Sequence, residues 1–217
     1  MGRVGALSAG VGSYNVVYGY TAFGTGWGDT VGAKSLFNLG DRDRMDNTVT
    51  YVTPKFGGHT AYAQYSFNAN GAEDAQSSFN KRCAGLGLKY DLGAFSTGLV
   101  VDTVMNKGTD ANSEDSLGVS WGASYDFGVA KVLGIAQYGQ NENKLGGGVI
   151  NMTTQERTAE FDRWGLAAAY EYPLSKRTKV YGFAGYNEGS IDSTGKNDHV
   201  TVTTKTAEAG FGLVHKF

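Results

Sequence analysis

The stretch Leu117-Gly118-Val119-Ser120-Trp121-Gly122-Ala123-Ser124-Tyr125-Asp126-Phe127 decides the fold. Its odd-numbered residues are aliphatic or aromatic, and its even-numbered ones are glycine, serine and one aspartate. Successive side chains of an extended chain point to opposite faces, so this is a strand with one oily face and one face of small polar groups. A helical period of 3.6 would scatter the two sets around the axis and leave no face to bury.

The same template repeats on both sides. It predicts strands at 46–54, 59–68, 81–91, 95–105, 117–127, 130–140, 161–172, 178–189 and 205–217. The connections alternate in length. Short turns fall at Pro54-Lys55-Phe56-Gly57-Gly58, Asp91-Leu92-Gly93-Ala94, Asp126-Phe127-Gly128-Val129 and Pro173-Leu174-Ser175-Lys176, and long polar stretches at 69–80, 106–116, 141–160 and 190–204. Tight turns at one end and long loops at the other describe an antiparallel meander whose two rims meet different surroundings. Tyr65, Tyr90, Tyr125, Tyr138, Tyr170 and Tyr172 lie near predicted strand ends, where aromatic rings anchor at a lipid headgroup layer.

Composition narrows the class further. The chain has 217 residues with 33 Gly, 2 Pro and 1 Cys, and 12% aromatics, which excludes a disulfide scaffold, a collagen and a disordered chain. No apolar run is long enough for a membrane helix, and a mean hydropathy of −0.30 leaves open an alternating membrane barrel, whose mean is like that of a soluble protein. A soluble β-sandwich also alternates. The parity opposite the oily one, however, carries Gly and Ser with Lys89, Asp102, Lys131, Arg163 and Glu171, which suits a wet lumen better than a dry core. Basic and acidic residues number 19 and 21 with no basic block, so nucleic acid is not an expected partner. Lone Cys83 supplies no zinc pair, and no phosphate loop or ligand cluster appears, so neither a metal nor a cofactor is expected. The 3 histidines, His59, His199 and His215, have no partner placed to make a general base, which argues against an enzyme.

Three stretches carry a resemblance to the general porins of the Gram-negative outer membrane. The last strand, Ala207-Glu208-Ala209-Gly210-Phe211-Gly212-Leu213-Val214-His215-Lys216-Phe217, ends on the terminal phenylalanine of that family, with Phe211, Leu213 and His215 on its face. Asp43-Arg44-Met45-Asp46-Asn47-Thr48-Val49-Thr50-Tyr51-Val52-Thr53-Pro54-Lys55-Phe56-Gly57-Gly58 is similar to the arginine-led strand and turn that follow the family's constriction loop. The third is 5–43, too long and too weakly alternating for a strand, yet rich in Tyr14, Tyr18, Tyr20, Phe23, Trp27 and Phe37.

The resemblance implies a single porin barrel unit over 1–217, with 5–43 folded inward as the constriction loop and 44–217 as the meander. Irregular backbone at membrane depth is tolerated only against protein or a water-filled cavity, as such a loop would be. The family sets carboxylates on this loop against arginines on the wall, which implies Asp29, Asp41 and Asp43 with Arg42 and Arg44. Arg44 heads a strand whose parity (Arg44, Asp46, Thr48, Thr50) is expected to face the lumen. Lys81, Lys89, Lys131 and Arg163 fall on inward parities. The implied function is passive diffusion of small hydrophilic solutes. The implied partners are a homotrimer, outer-membrane lipid and lipopolysaccharide, and the assembly machinery that reads Phe217, His215, Leu213 and Phe211. A substrate-selective channel and a surface barrel with ligand-binding or adhesive loops are the alternatives. At about 19 residues per strand, sixteen strands need roughly 300 residues. The chain is therefore expected to form 9 to 10 strands, an incomplete part of a sixteen-stranded barrel or an unusual small one.

Overall fold

The computed structural model describes residues 2–8, 14, 16–20, 44–69, 71, 80–105, 115–140, 158–194 and 199–217. They form one antiparallel sheet of ten strands: β1 (Gly2–Gly5), β2 (Arg44–Val52), β3 (His59–Ser66), β4 (Arg82–Leu92), β5 (Phe95–Met105), β6 (Ser116–Asp126), β7 (Lys131–Gln140), β8 (Thr158–Pro173), β9 (Thr178–Thr194) and β10 (His199–His215). Each strand pairs with its sequence neighbours, so the sheet is a simple meander, left open with β1 and β10 at its edges. Tight turns join β2 to β3, β4 to β5, β6 to β7 and β8 to β9, all at one rim. Three of them contain glycines with positive φ, namely Gly57 (56°) and Gly58 (87°), Gly93 (55°) and Gly128 (81°), a region open to glycine at little cost.

The faces invert the usual rule for soluble proteins. On β6, Trp121 is 50% exposed while its neighbour Ser120 is 1% exposed. Register carries this across the sheet: Ser120 pairs Gln137, which pairs Gly165, which pairs Asn187, a polar row on one face. Gln137 donates to the Ser120 hydroxyl at 3.1 Å, and both are buried. The opposite face exposes Leu86, Leu88, Leu99, Val101, Trp121, Tyr125, Trp164, Leu166, Tyr170, Phe211 and Leu213. An oily exterior around polar buried rows suits a hydrocarbon solvent.

The oily face has a definite height. It runs from Leu92 to Ala84 on β4, Tyr125 to Leu117 on β6, Tyr172 to Trp164 on β8 and His215 to Ala207 on β10. Those runs are about nine residues each, roughly 20 Å along the membrane normal at a rise of 3.3 Å and a tilt of 40°. On three of these strands a charged residue follows at once, Arg82, Asp162 or Lys205.

The predicted strands hold with three corrections. A short β1 pairs with the start of β2. The stretch 190–204 is not a long loop, because β9 runs to Thr194 and β10 starts at His199, paired residue for residue. Above Lys205 the outward parity is His199, Thr201 and Thr203, with no oily residue to announce a strand. Third, the inward parity expected for Arg44 and Asp46 is broken. Asn47 adopts φ 48° at an irregularity between β1 and β2, so Met45 and Thr48 both turn inward while Arg44 is exposed on the outer face. Met45 joins Ala6, Ala69, Cys83 and Val104 in a buried inner cluster.

Candidate functional site

At Gly5 the chain leaves the sheet and crosses its inner face. The Gly5 carbonyl accepts a hydrogen bond from Gln64 Nε2 at 3.0 Å, and the same amide donates to Thr50 Oγ1 at 3.0 Å. Leu7 then lies over β4, where the absent Cβ of Gly87 leaves room: a methyl there would be 3.4 Å from Leu7 Cδ1. Ser8 donates to the buried Asp102 carboxylate of β5 at 2.7 Å. The chain doubles back, with Val16 N–H donating to the Leu7 carbonyl at 3.3 Å. Leu7, Val16, Val17 and Val100 form a buried cluster, with Tyr14 and Tyr62 packed against it. A 3-10 turn at Tyr18–Tyr20 closes the described part of the segment.

Two glycines form the seat for this turn. A Cβ on Gly98 would collide with the Val16 carbonyl oxygen and lie 3.1 Å from Tyr20 Cε2. A Cβ on Gly122 would collide with the Tyr20 ring, with Cγ at 2.9 Å and Cβ at 3.0 Å. The turn therefore sits directly on strand backbone, closer than any side chain allows.

A polar clip holds the far end. Tyr20 Oη lies 2.8 Å from Ser96 Oγ, and Ser96 in turn donates to the Asp91 carboxylate. A serine hydroxyl has one proton, so Tyr20 is the donor in the first bond. Lys55 Nζ at 3.4 Å, from the β2–β3 turn, and Lys89 Nζ at 3.9 Å, two residues earlier on β4, bracket Asp91.

The sequence-predicted residues divide. Lys89, Lys131 and Arg163 occupy the inner face, Lys131 in register with both Asp126 and Glu171. Glu171 is bridged by Lys179 at 2.7 Å. Lys81 precedes β4 on the parity of Cys83, half-buried, and its carbonyl accepts from Ala69 N–H at 2.7 Å. Arg44 is on the outer face, and Asp29, Asp41, Arg42 and Asp43 lie outside the described residues. Phe211, Leu213 and His215 face outward, with the His215 and Phe217 rings edge to face at 4.9 Å. Sequence reasoning missed Ser8, Gln64, Asp91 and Ser96, and gave Tyr20 only as one of the aromatics of 5–43, without a partner. The inward parity of Asp91, Ser96 and Asp102 was readable, but Ser8 and Tyr20, which bond Asp102 and Ser96, lie on a segment with no period.

Comparison with known proteins agrees with this geometry. The family model described as Gram-negative porin matches residues 1–192. Outer membrane porin protein 32 of Delftia acidovorans is 27% identical over 173 residues, covering 70% of this chain and 48% of the relative. An outer membrane porin protein of Bordetella pertussis is 26% identical over an alignment of 255 positions, covering 90% of this chain and 63% of the relative. The chain thus spans about half to two-thirds of the length of these relatives. The fold matches that of OmpT, an outer membrane protein of Vibrio cholerae, with a TM-score of 0.57 at 16% identity, covering 100% of this chain and 60% of that one. With an inside-out meander, an apolar band of membrane height and a family match across most of its length, this chain belongs to the Gram-negative porin family of the outer membrane.

Proposed function

We propose that the whole protein forms a water-filled channel through which small hydrophilic solutes and ions diffuse passively, narrowed by the segment that begins at Gly5. The observation that carries this reading is the seating of 6–8 and 16–20 on the polar inner face, through Gly98, Gly122, Ser96 and Asp102. A segment held there reduces the bore without touching the lipid face. In this reading 1–217 is one barrel unit, with 5–43 as the constriction and 44–217 as the wall.

Asp29, Asp41, Asp43 and Arg42 are the constriction charges of the proposal, while Lys81, Lys89, Lys131 and Arg163 tune ion preference from the wall. Arg44 leaves that set because its side chain is on the outer face. The homotrimer, and recognition of Phe217, His215, Leu213 and Phe211 by the assembly machinery, belong to the same proposal. General passage is favoured over a substrate-selective channel in which the aromatics of 5–43 would stack a solute. Tyr18 and Tyr20 are buried and Tyr14 meets Tyr62 edge to face at 6.3 Å, so their rings are engaged in packing.

Planar-bilayer recordings of the full-length protein test the reading. A large ohmic conductance with weak ion selectivity supports it. Saturable block by one solute class would replace it with a selective channel, and an absence of conductance would overturn both.

A further inference from the structure

The inner segment is attached to the wall in two ways that differ in kind. Its root is enclosed: Gly5 and Ser8 bond to Gln64 and the buried Asp102, and Leu7, Val16, Val17 and Val100 pack beside them, each at most 1% exposed. Among the described residues, its far end is held by one polar relay. Tyr20 Oη donates to Ser96 Oγ at 2.8 Å, and Ser96 donates to Asp91 Oδ1. The Asp91 side chain is 34% exposed, so the last link of the relay exchanges protons with solvent while the root is shielded from it.

The relay has a direction, and the charge of Asp91 sets it. An ionised carboxylate only accepts, so it takes the single Ser96 proton and leaves the Ser96 oxygen to receive the Tyr20 phenol. The groups around Asp91 support that state. Lys55 reaches Oδ2 at 3.4 Å from the β2–β3 turn, Lys89 reaches Oδ1 at 3.9 Å from the same strand, and the Asp91 N–H is bonded to the Gly58 carbonyl at 3.0 Å. The Tyr62 phenol of β3 lies within reach of its charge. Asp126, at the matching end of β6, is turned to its own hairpin and accepts from Gly128 N–H at 2.8 Å. The His59 ring stacks on Tyr90 at 4.4 Å, on the opposite face of the sheet. A proton taken from solvent by Asp91 weakens the acceptor, gives the carboxyl a hydrogen of its own to donate to Ser96, and leaves Lys55 and Lys89 without the anion between them. Ser96 is then no longer held in the orientation that receives Tyr20.

We propose that Asp91, Ser96 and Tyr20 form an acid-released latch on the inner segment. While Asp91 is ionised, the turn at Tyr18–Tyr20 stays clipped to β5. As the pH falls through the Asp91 transition the clip opens, and the turn lifts from Gly98 and Gly122 while its root stays buried. The latch is closed above that transition and open below it. This inference rests on the reading of 5–43 as the constriction, because only then does release alter what the channel conducts. A charge-assisted hydrogen bond is about twice as strong as a neutral one, so its loss should raise the unclipped population about tenfold.

The test pairs single-channel recording of the full-length protein over a pH series with fluorine NMR of the same protein in micelles, carrying a ring-fluorinated tyrosine at position 20. In the wild type, open-channel flicker and a second, solvent-like fluorine resonance should rise together about tenfold on acidification. In D91N and in S96A both should be high at neutral pH and independent of pH, while D126N should keep the wild-type profile. Circular dichroism at each pH confirms that the strands stay folded. An acid rise in D91N equal to that of the wild type, or a single fluorine resonance in the wild type at every pH, overturns the latch. The expected fluorine pattern with an unaltered current supports the latch and overturns instead the reading of the segment as the constriction.

Discussion

Replacing Gly122 by alanine isolates the seat of the inner segment from the strands that carry it. The new Cβ would lie 2.9 Å from Tyr20 Cγ and 3.0 Å from Tyr20 Cβ. Carbon atoms rest at about 3.5 Å or more, and Tyr20 Cδ2 would be nearer still, so the ring must lift by roughly 1 Å. The ring cannot simply rotate away, because its hydroxyl is committed to Ser96 at 2.8 Å and its backbone N–H donates to Val17 at 3.1 Å. Overpacking of this kind costs about 1–3 kcal/mol. An alanine in a strand otherwise gains about 0.5–1 kcal/mol over glycine, so the net loss should be about 0–2.5 kcal/mol, with the strand ladder intact. Gly134→Ala, on the outer face of β7, is the control for a strand glycine away from the seat, since its Cβ meets only the Ala167 carbonyl oxygen at an ordinary 3.6 Å. In planar bilayers Gly122→Ala should shift the unitary conductance of the full-length protein, and Gly134→Ala should leave it at the wild-type value. Gly98→Ala, which strikes the Val16 carbonyl, should act in the same direction as Gly122→Ala. Identical conductance and stability for Gly122→Ala, Gly134→Ala and wild type would falsify the idea that the seated turn sets the bore.

Three further outcomes follow from the same structure. Asp91→Asn removes the charge that Lys55 and Lys89 bracket while keeping an acceptor for Ser96, so the loss in stability should stay within about 1 kcal/mol. Open-channel noise should rise as the Tyr20 clip loosens, and a quiet D91N channel would show that the clip does not restrain the segment. Ala168→Arg sits at mid-band on the outer face and should cost about 2–4 kcal/mol in urea unfolding from lipid vesicles, against about 0–1 for Ala207→Arg beside Lys205 at the rim. Equal costs would mean that the apolar band has been placed at the wrong depth. In a Trp27→Phe background, Trp121 and Trp164, 50% and 42% exposed on the outer face, should be quenched by lipids brominated on the acyl chain and not by aqueous iodide. The reverse pattern would put that face in water.

What could be read from the sequence, and what could not, follows from where each contact gets its information. On β6 the two parities differ in chemistry at every position, so one strand announces its period, its oily face and, through the turn after Asp126, its neighbour. That legibility ends where the lipid does. Above Lys205 both sides of the β9–β10 hairpin meet water, neither parity needs to be apolar, and a fully paired hairpin reads as a loop. At Asn47 a single left-handed residue reverses the phase, and an arginine assigned by counting from Thr48 falls on the wrong face. The inner site is harder still, because a segment that docks on a wall carries no period. Tyr20 is placed by the missing side chains of Gly98 and Gly122, and those glycines read equally well as plain lumen wall. Solvent imposes the repeating pattern of the outer face, whereas the inner face is defined by complementarity between residues far apart in the chain. For this fold, therefore, the wall is written in periodicity and the bore in pairwise fit, and substitutions at the inner glycines, more than at any inner charge, separate the two.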